Sequence, residues 1–378
     1  MRAVVYRGVN DLRLETVPVP RIGPRELLVK VAVCGVCPTD IKKIQHGAVP
    51  PPRIFGHETA GTIVKIGGGA GVHASRFKIG DRVALHHHVP CGGCHFCRHR
   101  AFAQCAAYKR TGITAGFEPA GGGYAEYVRV MPFVLPGVVK IPAKNSFAEG
   151  AMLEPVNTVL KAVRRLNLLP GDAALVAGQG PIGLMFTKIL QLARIRVLAT
   201  DLLESRLRLA RKFGAKWTAN PQLGRAELPL RRDARQRVPT GLDAAIIAVP
   251  SDEAVTQALR LVRGGGQVLL FAHTQRADGR WQMADGTPPS IAPISHLPSP
   301  ISQLDLASIC LDEKDLIGSY SSDFTLQSEA ARLVFSRRLD VRQLITHAFP
   351  LEQTAAAVAL AARPTPDSLK IIVAADVR

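Results

Sequence analysis

Ala173-Ala-Leu-Val-Ala177-Gly178-Gln179-Gly180-Pro181-Ile182-Gly183, followed by Leu-Met-Phe-Thr-Lys-Ile-Leu-Gln-Leu-Ala193, is the stretch on which the reading of the fold turns. Five apolar residues in a row predict a buried strand, and the apolar spacing after the glycines predicts a helix over 182–193. A lone G-x-G-x-x-G is weak, but the strand–turn–helix context makes it a dinucleotide fingerprint. The glycines permit a tight turn and let a pyrophosphate approach the helix N-terminus, where free N–H groups and the dipole favour negative charge. Gly178, Gly180, Pro181, Ile182 and Gly183 are therefore candidate cofactor contacts. The next expected strand, 196–200, ends at Asp201, which is suited to bond both ribose hydroxyls and to repel a 2′-phosphate. That points to NAD over NADP. Arg206 argues the other way, but on a helix it fits a solvated position equally well.

Outward from this stretch, strands expected at 244–248 and 267–271 alternate with helices at 203–213 and 251–262. Alternation of this kind predicts an α/β fold with a doubly wound parallel sheet covered on both faces. A helix over 156–165 precedes it. Residues 1–150 read differently: short β-type runs at 3–6, 26–33, 61–66, 82–85 and 124–130 between turn signals predict a β barrel or irregular sandwich. The Pro-rich segment 274–301 reads as a loop or insertion, and helices at 326–336 and 351–362 lead to a closing strand at 368–374.

At 378 residues and 47% apolar content the chain has room for two domains with large cores. Its 48 Lys and Arg against 30 Asp and Glu leave a net charge of +18, yet the basic residues are scattered and aromatics make up 5%. Nucleic-acid binding would need basic residues interleaved with aromatics, or a recognition helix beside the cysteine lobe, and neither is evident. The alternative of a non-catalytic, nucleic-acid-binding zinc protein is therefore disfavoured. No apolar run reaches the length of a membrane span, and the first residues, Met1-Arg-Ala-Val-Val-Tyr6, read as a strand rather than a leader. A cytoplasmic protein is expected.

Cys91, Cys94, Cys97 and Cys105 follow C-x2-C-x2-C-x7-C, a spacing that can wrap one tetrahedral zinc with no water position, a structural site. Three further segments each offer a candidate ligand: Cys34-Gly-Val-Cys37-Pro-Thr39-Asp40, then Gly56-His57-Glu58, then Leu153-Glu154-Pro155. Catalytic zinc keeps about three protein ligands and an open position, and it lowers the pKa of a coordinated alcohol. An outer carboxylate such as Asp40 is suited to hold His57 in the ligating tautomer. Spacing alone leaves Cys34 and Cys37 as alternatives.

Through C-G-V-C-P-T-D, G-H-E-T-A-G, G-D-R-V, the four-Cys lobe, G-G-Y-A-E-Y-V, L-E-P, G-Q-G-P-I-G and G-S-Y, nearly the whole chain resembles the zinc-containing medium-chain dehydrogenase/reductases, nearest the sorbitol (polyol) and L-threonine dehydrogenases. The resemblance implies a GroES-like catalytic domain with the structural zinc lobe over 1–155, a Rossmann NAD-binding domain over 156–320 and a return to the catalytic domain over 321–378. It implies two zinc ions per chain and NAD as cofactors. Cys37 rather than Cys34 becomes a ligand, with His57, and Glu58 and Glu154 share the carboxylate role directly or through water. Thr39 matches the hydroxyl that bonds the substrate alcohol and starts a proton relay. Lys42 stands where relatives often have the His at the outer end of that relay, and Glu154 stands where classical alcohol dehydrogenases have Cys. His87 matches a residue lining the substrate cleft, and a polar side chain there suits a hydrophilic substrate.

The implied reaction is hydride transfer between NAD and a secondary alcohol or ketone of a polyol, sugar or cyclitol. A hydroxy-amino compound such as L-threonine is the alternative. The partners expected are a small polar substrate and further copies of the chain, as a homodimer or homotetramer, with neither nucleic acid nor membrane.

Overall fold

A computed structural model describes residues 1–68, 76–86, 89–107, 121–222, 241–272 and 305–375. The chain divides into two units, Met1–Lys161 with Tyr320–Arg378, and Ala162–Ser319. His87 and the 274–301 segment lie outside the described residues.

In the second unit, six parallel strands run in the spatial order Trp217–Ala219, Arg196–Thr200, Ala173–Ala177, Leu242–Ile247, Val262–Leu270 and Asp315–Gly318. Counted along the chain this is 3-2-1-4-5-6, the doubly wound nucleotide-binding order, with its switch point beside Ala173–Ala177. All five residues of that strand are buried, as befits a strand covered on both faces, and Ala173, Leu175 and Ala177 join Leu198, Ala245, Ile247 and Leu259 in one apolar core. The turn after it needs its glycines. Gly178 sits at φ +89°, and a Cβ on Gly183 would stand 1.8 Å from the Gly178 carbonyl oxygen. The helix Pro181–Leu192 then starts with Gly180 as N-cap, Pro181 in its first turn and no capping side chain.

The first unit is built on mostly antiparallel sheet, with Ile345–Phe349 and Lys370–Ala374 pairing parallel. Its seven-stranded sheet runs Ile345–Phe349, Lys370–Ala374, Leu27–Gly35, Glu58–Ile66, Arg82–Ala84, Val139–Lys140, with Tyr127–Val130 also pairing on Leu27–Gly35. A three-stranded sheet sets Arg2–Gly8 between Asp11–Thr16 and Arg53–Ile54. The long strand Leu27–Gly35 is buried along most of its length; Leu27, Val29 and Val31 join one apolar cluster and Cys34 another. The strand Lys370–Ala374, late in the sequence, pairs with it in the register Ile372↔Gly35 and Val373↔Cys34. Residues more than three hundred positions apart thus meet beside the site described next.

Several helices depart from the sequence expectation, among them Pro38–His46, His95–Arg98 and Leu306–Leu311, none of which was expected. The helix expected from residue 156 begins at Leu153, because Pro155 falls within its first turn, where a missing N–H costs nothing. Before it lies Phe147–Ala151, opened by a capping box in which Ser146 accepts from Glu149 N–H and Glu149 accepts from Ser146 N–H. Among the described residues, no helix is long and apolar enough to cross a membrane.

Candidate active site

The chain turns from strand to helix at Cys37, the N-cap of Pro38–His46, in extended conformation. His57 and Glu58 stand at the start of the strand Glu58–Ile66, whose pairing Glu58↔Gly35 brings them alongside. Their ligand atoms and that of Cys37 all lie within 4.8 Å of one another, with His57 and Glu58 buried. A Cβ at position 35 would fall 1.9 Å from Glu58 Oε2, so a larger residue there would displace that carboxylate.

Two members of the trio, His57 and Glu58, are held from behind. Asp40, fully buried on the first turn of the helix, places Oδ1 3.1 Å from His57 Nδ1. Burial would push His57 down, but the charges of Asp40 and Cys37 and its hydrogen bonds to them outweigh it and raise the imidazole well above its usual value. Lys370 Nζ donates to Glu58 Oε1 at 2.6 Å and to the Val36 carbonyl at 2.9 Å. Burial favours the neutral amine, but Glu58 and Cys37 more than offset it, so the Lys370 ammonium is raised. Glu154, 5% exposed on the helix Leu153–Val163, has its carboxyl pushed up to about 7 by burial, with His57 opposing and Glu58 reinforcing the shift.

Cys34 takes no part in this cluster. Its buried thiol lies 3.5 Å from Thr59 Oγ1 and 3.6 Å from the Gly35 carbonyl, and burial pushes it up to about 12. Thr39 and Lys42 are half-buried three residues apart on the Cys37 helix, on one face. Burial lowers the Lys42 ammonium, with Cys37 opposing.

The second cluster comprises Cys91, Cys94, Cys97 and Cys105, their sulfurs within 4.8 Å of one another. Gly92 at φ +78° turns the chain, the short helix His95–Arg98 starts at Cys94, and Cys91 N–H points at Cys105 Sγ 3.4 Å away. N–H groups of Gly93 and Cys94 draw Cys91 down to about 6, whereas burial pushes Cys97 up to about 12. None of the described cysteines is in a disulfide.

In the parallel-sheet unit, Asp201 is locked by two backbone donors: Gln179 N–H to Oδ2 at 2.7 Å and Leu203 N–H to Oδ1 at 2.9 Å. The first bond ties the carboxylate to the Gly178–Gly183 turn. Gln179 itself is pinned by Val176 O and Thr187 Oγ1. Arg206 Nη1 stands 3.9 Å from Asp201 Oδ2, and its buried Nε has no hydrogen-bond partner.

Sequence reading did not single out Lys370. A lysine among Ser368-Leu-Lys-Ile-Ile-Val373 looks like the solvated face of a strand, yet its side chain is buried on Glu58. His86, next to His87 in the sequence, was likewise not singled out; it is fully buried.

A β-rich unit with two metal-ligand clusters, joined to a parallel dinucleotide-type sheet, defines a zinc-binding dehydrogenase. Residues 23–143 match the alcohol dehydrogenase GroES-like domain and residues 181–287 match the zinc-binding dehydrogenase domain. The chain belongs to the zinc-containing medium-chain dehydrogenase/reductase family and is an oxidoreductase of the alcohol dehydrogenase type. It is 28% identical to the sorbitol dehydrogenase of Bacillus subtilis (strain 168), over 99% of this chain and 97% of that one. With the D-xylulose reductase A of Aspergillus niger it shares 28% identity over 90% of this chain and 88% of the other. A solved structure of a protein classed as a zinc-binding dehydrogenase, from Sinorhizobium meliloti 1021 and bound to NADP, superposes with a TM-score of 0.78 at 26% identity, covering 99% and 98% of the two chains.

Proposed function

We propose that this chain transfers a hydride between NAD and the secondary hydroxyl of a polyol, sugar or cyclitol, interconverting it with the ketone. The observation that carries the reading is the trio of half-buried Cys37 with buried His57 and Glu58, backed by Asp40 and Lys370. The donor set fits zinc. With Nδ1 given to Asp40, His57 has Nε2 left to ligate, and Cys37 with Glu154 or Glu58, directly or through water, completes a site that keeps a position for substrate. Cys91, Cys94, Cys97 and Cys105 suit a second, closed zinc. Zinc supplies the Lewis acidity that eases deprotonation of an alcohol, and NAD supplies the hydride acceptor.

The remaining work falls to the chain. Thr39 accepts the alcohol proton and passes it on, and Lys42 with a lowered ammonium value stands next along the helix to receive it. Asp201, tied to the glycine turn, accepts hydrogen bonds from ribose hydroxyls and repels a 2′-phosphate. The polyol class is supported by the sorbitol and xylulose relatives and by the carboxylate at Glu154. The edge strand Asp315–Gly318, with Leu316 and the neighbouring Leu311 exposed, supports assembly as a homodimer or homotetramer. Four cysteines grouped as one metal-ligand set, a use of cysteine suited to a reducing compartment, support a cytoplasmic location.

The test is a panel of polyols, sugars, cyclitols, L-threonine and simple alcohols with NAD and with NADP. The expected result is turnover of polyhydroxy compounds with NAD at the higher kcat/KM. Turnover of L-threonine alone, of simple alcohols alone, or equal use of NADP overturns the corresponding part of the proposal.

A further inference from the structure

Beside the metal-site residues, and outside the roles given so far, lies a buried polar network made by His86, Asn157, Ser322, Asp323 and Gln327. Asn157 is fully buried one helical turn after Glu154, so the two share a face of Leu153–Val163. Its amide Nδ2 donates to the Asp323 carbonyl and to Gln327 Oε1, both at 2.9 Å, while Oδ1 accepts from Asp323 N–H at 2.8 Å. A further turn along, Lys161 Nζ donates to the Tyr320 carbonyl at 2.7 Å. The segment Tyr320–Gln327 is thereby clipped along the helix that carries Glu154.

The same segment reaches to the other arm of the site. Gln327, 2% exposed, also places Oε1 3.1 Å from His86 Nδ1. His86 follows the strand Arg82–Ala84, which pairs with the strand that begins at Glu58; Leu85 N–H donates to Thr59 O at 2.9 Å. An amide oxygen only accepts, so His86 carries its proton on Nδ1 and its Nε2 accepts from the Ser322 hydroxyl, 3.5 Å away. One amide oxygen, Gln327 Oε1, is thus the junction between the arm holding His57 and Glu58 and the arm holding Glu154.

We infer that Asn157, Gln327 and His86 form a positioning unit that fixes Glu154 against the Cys37–His57 arm and so sets the geometry of the metal site. A buried, hydrogen-bonded junction transmits position because any displacement of one arm strands a buried donor, and an unmet buried donor is costly. The inference rests on the metal site of the proposed dehydrogenase, and its test reads the metal separately from turnover.

The test exchanges zinc for cobalt(II) and takes the difference spectrum between otherwise wild-type protein and Cys37→Ser protein, which isolates the Cys37 site from the four-cysteine lobe. Gln327→Met keeps the length of the side chain and removes the junction oxygen; Gln327→Glu keeps an oxygen for both Asn157 and His86. The Met variant is expected to shift the cobalt bands, to weaken cobalt binding at this site about tenfold, and to lower kcat with KM for NAD unchanged, while Gln327→Glu restores the band positions. Should Gln327→Met not accumulate as folded protein, Ser322→Ala, which removes only the outer contact of His86, is expected to move the bands in the same direction by less. Unchanged bands and unchanged cobalt affinity in the folded variants overturn the inference and leave the network a structural clip. A parent protein with no cobalt signal dependent on Cys37 overturns the metal-site reading itself, and the inference with it.

Discussion

The four-cysteine lobe and the Cys37 site use the same metal chemistry in opposite ways. The lobe draws every donor from one continuous piece of chain, Cys91–Cys105, and leaves Cys91 exposed. The Cys37 site gathers Cys37, His57 and Glu58 from two separate segments, with Glu154 proposed from a third, and two of these residues lean on a further one: His57 on Asp40, Glu58 on Lys370. A local, closed site depends on its own turns. A dispersed, open one depends on the fold, and its chemistry depends on what stands behind the ligands.

The comparison breaks most sharply at two cysteines three residues apart. Cys37→Ser is expected to lower kcat/KM by about 10^3-fold or more with little change in melting temperature, since it removes Lewis acidity and leaves the core intact. Cys34→Ser, in a packed interior beside Thr59, is expected to keep activity within about twofold while costing about 1–2 kcal/mol of stability. Steady-state kinetics and thermal melts of the pair decide it; a dead Cys34 variant beside an active Cys37 variant would exchange their roles.

A smaller effect separates the sites by pH. Burial raises the Glu154 carboxyl to about 7, so the folded, metal-free protein holds a proton that the unfolded chain releases near the ordinary carboxylate value. The stability this contributes is present below that ordinary value and fades as pH rises toward 7. The metal must displace the same proton. Zinc affinity at the Cys37 site should therefore gain about tenfold per pH unit below 7 from this group and level off above it. Chelator competition from pH 6 to 8 reads the slope, and Glu154→Gln should flatten it while weakening binding at pH 8 by about 10–100-fold. A slope unaffected by the substitution would remove Glu154 from the site.

The smallest effect is expected at Lys42. With Lys42→Ala, oxidation at neutral pH should slow by about five- to tenfold, because water can take over part of the proton path, and added imidazole should recover some of the loss. A raised KM for NAD with an unaltered pH profile would instead mark Lys42 as a phosphate contact.

What was legible in the sequence follows the same division. The lobe stood out because its ligands are spaced along one turn-rich segment, and the cofactor turn because strand, glycines and helix are contiguous. The strands Ala173–Ala177 and Arg196–Thr200 occur at their expected limits, since short apolar stretches ending at Gly178 and Asp201 leave little latitude. The choice of Cys37 over Cys34 was open on spacing and came only with the family resemblance, because both cysteines flank the same strand end. Lys370 was not legible: its partner is 312 positions away, and only the pairing of Lys370–Ala374 with Leu27–Gly35 brings them together. The capping box at Ser146 and Glu149 was written in the sequence as Ser-x-x-Glu and forecasts a helix start that apolar periodicity alone did not mark.

The most direct measurement is zinc per chain in protein purified without chelator, for the parent, Cys37→Ser and Cys94→Ser. Two independent sites predict about two zinc ions in the parent. They predict one in folded Cys37→Ser, and in Cys94→Ser a loss of folded protein in step with the loss of lobe zinc, because a closed site contributes folding energy. One zinc or none in the parent, or an unchanged count in folded Cys37→Ser, would contradict the account.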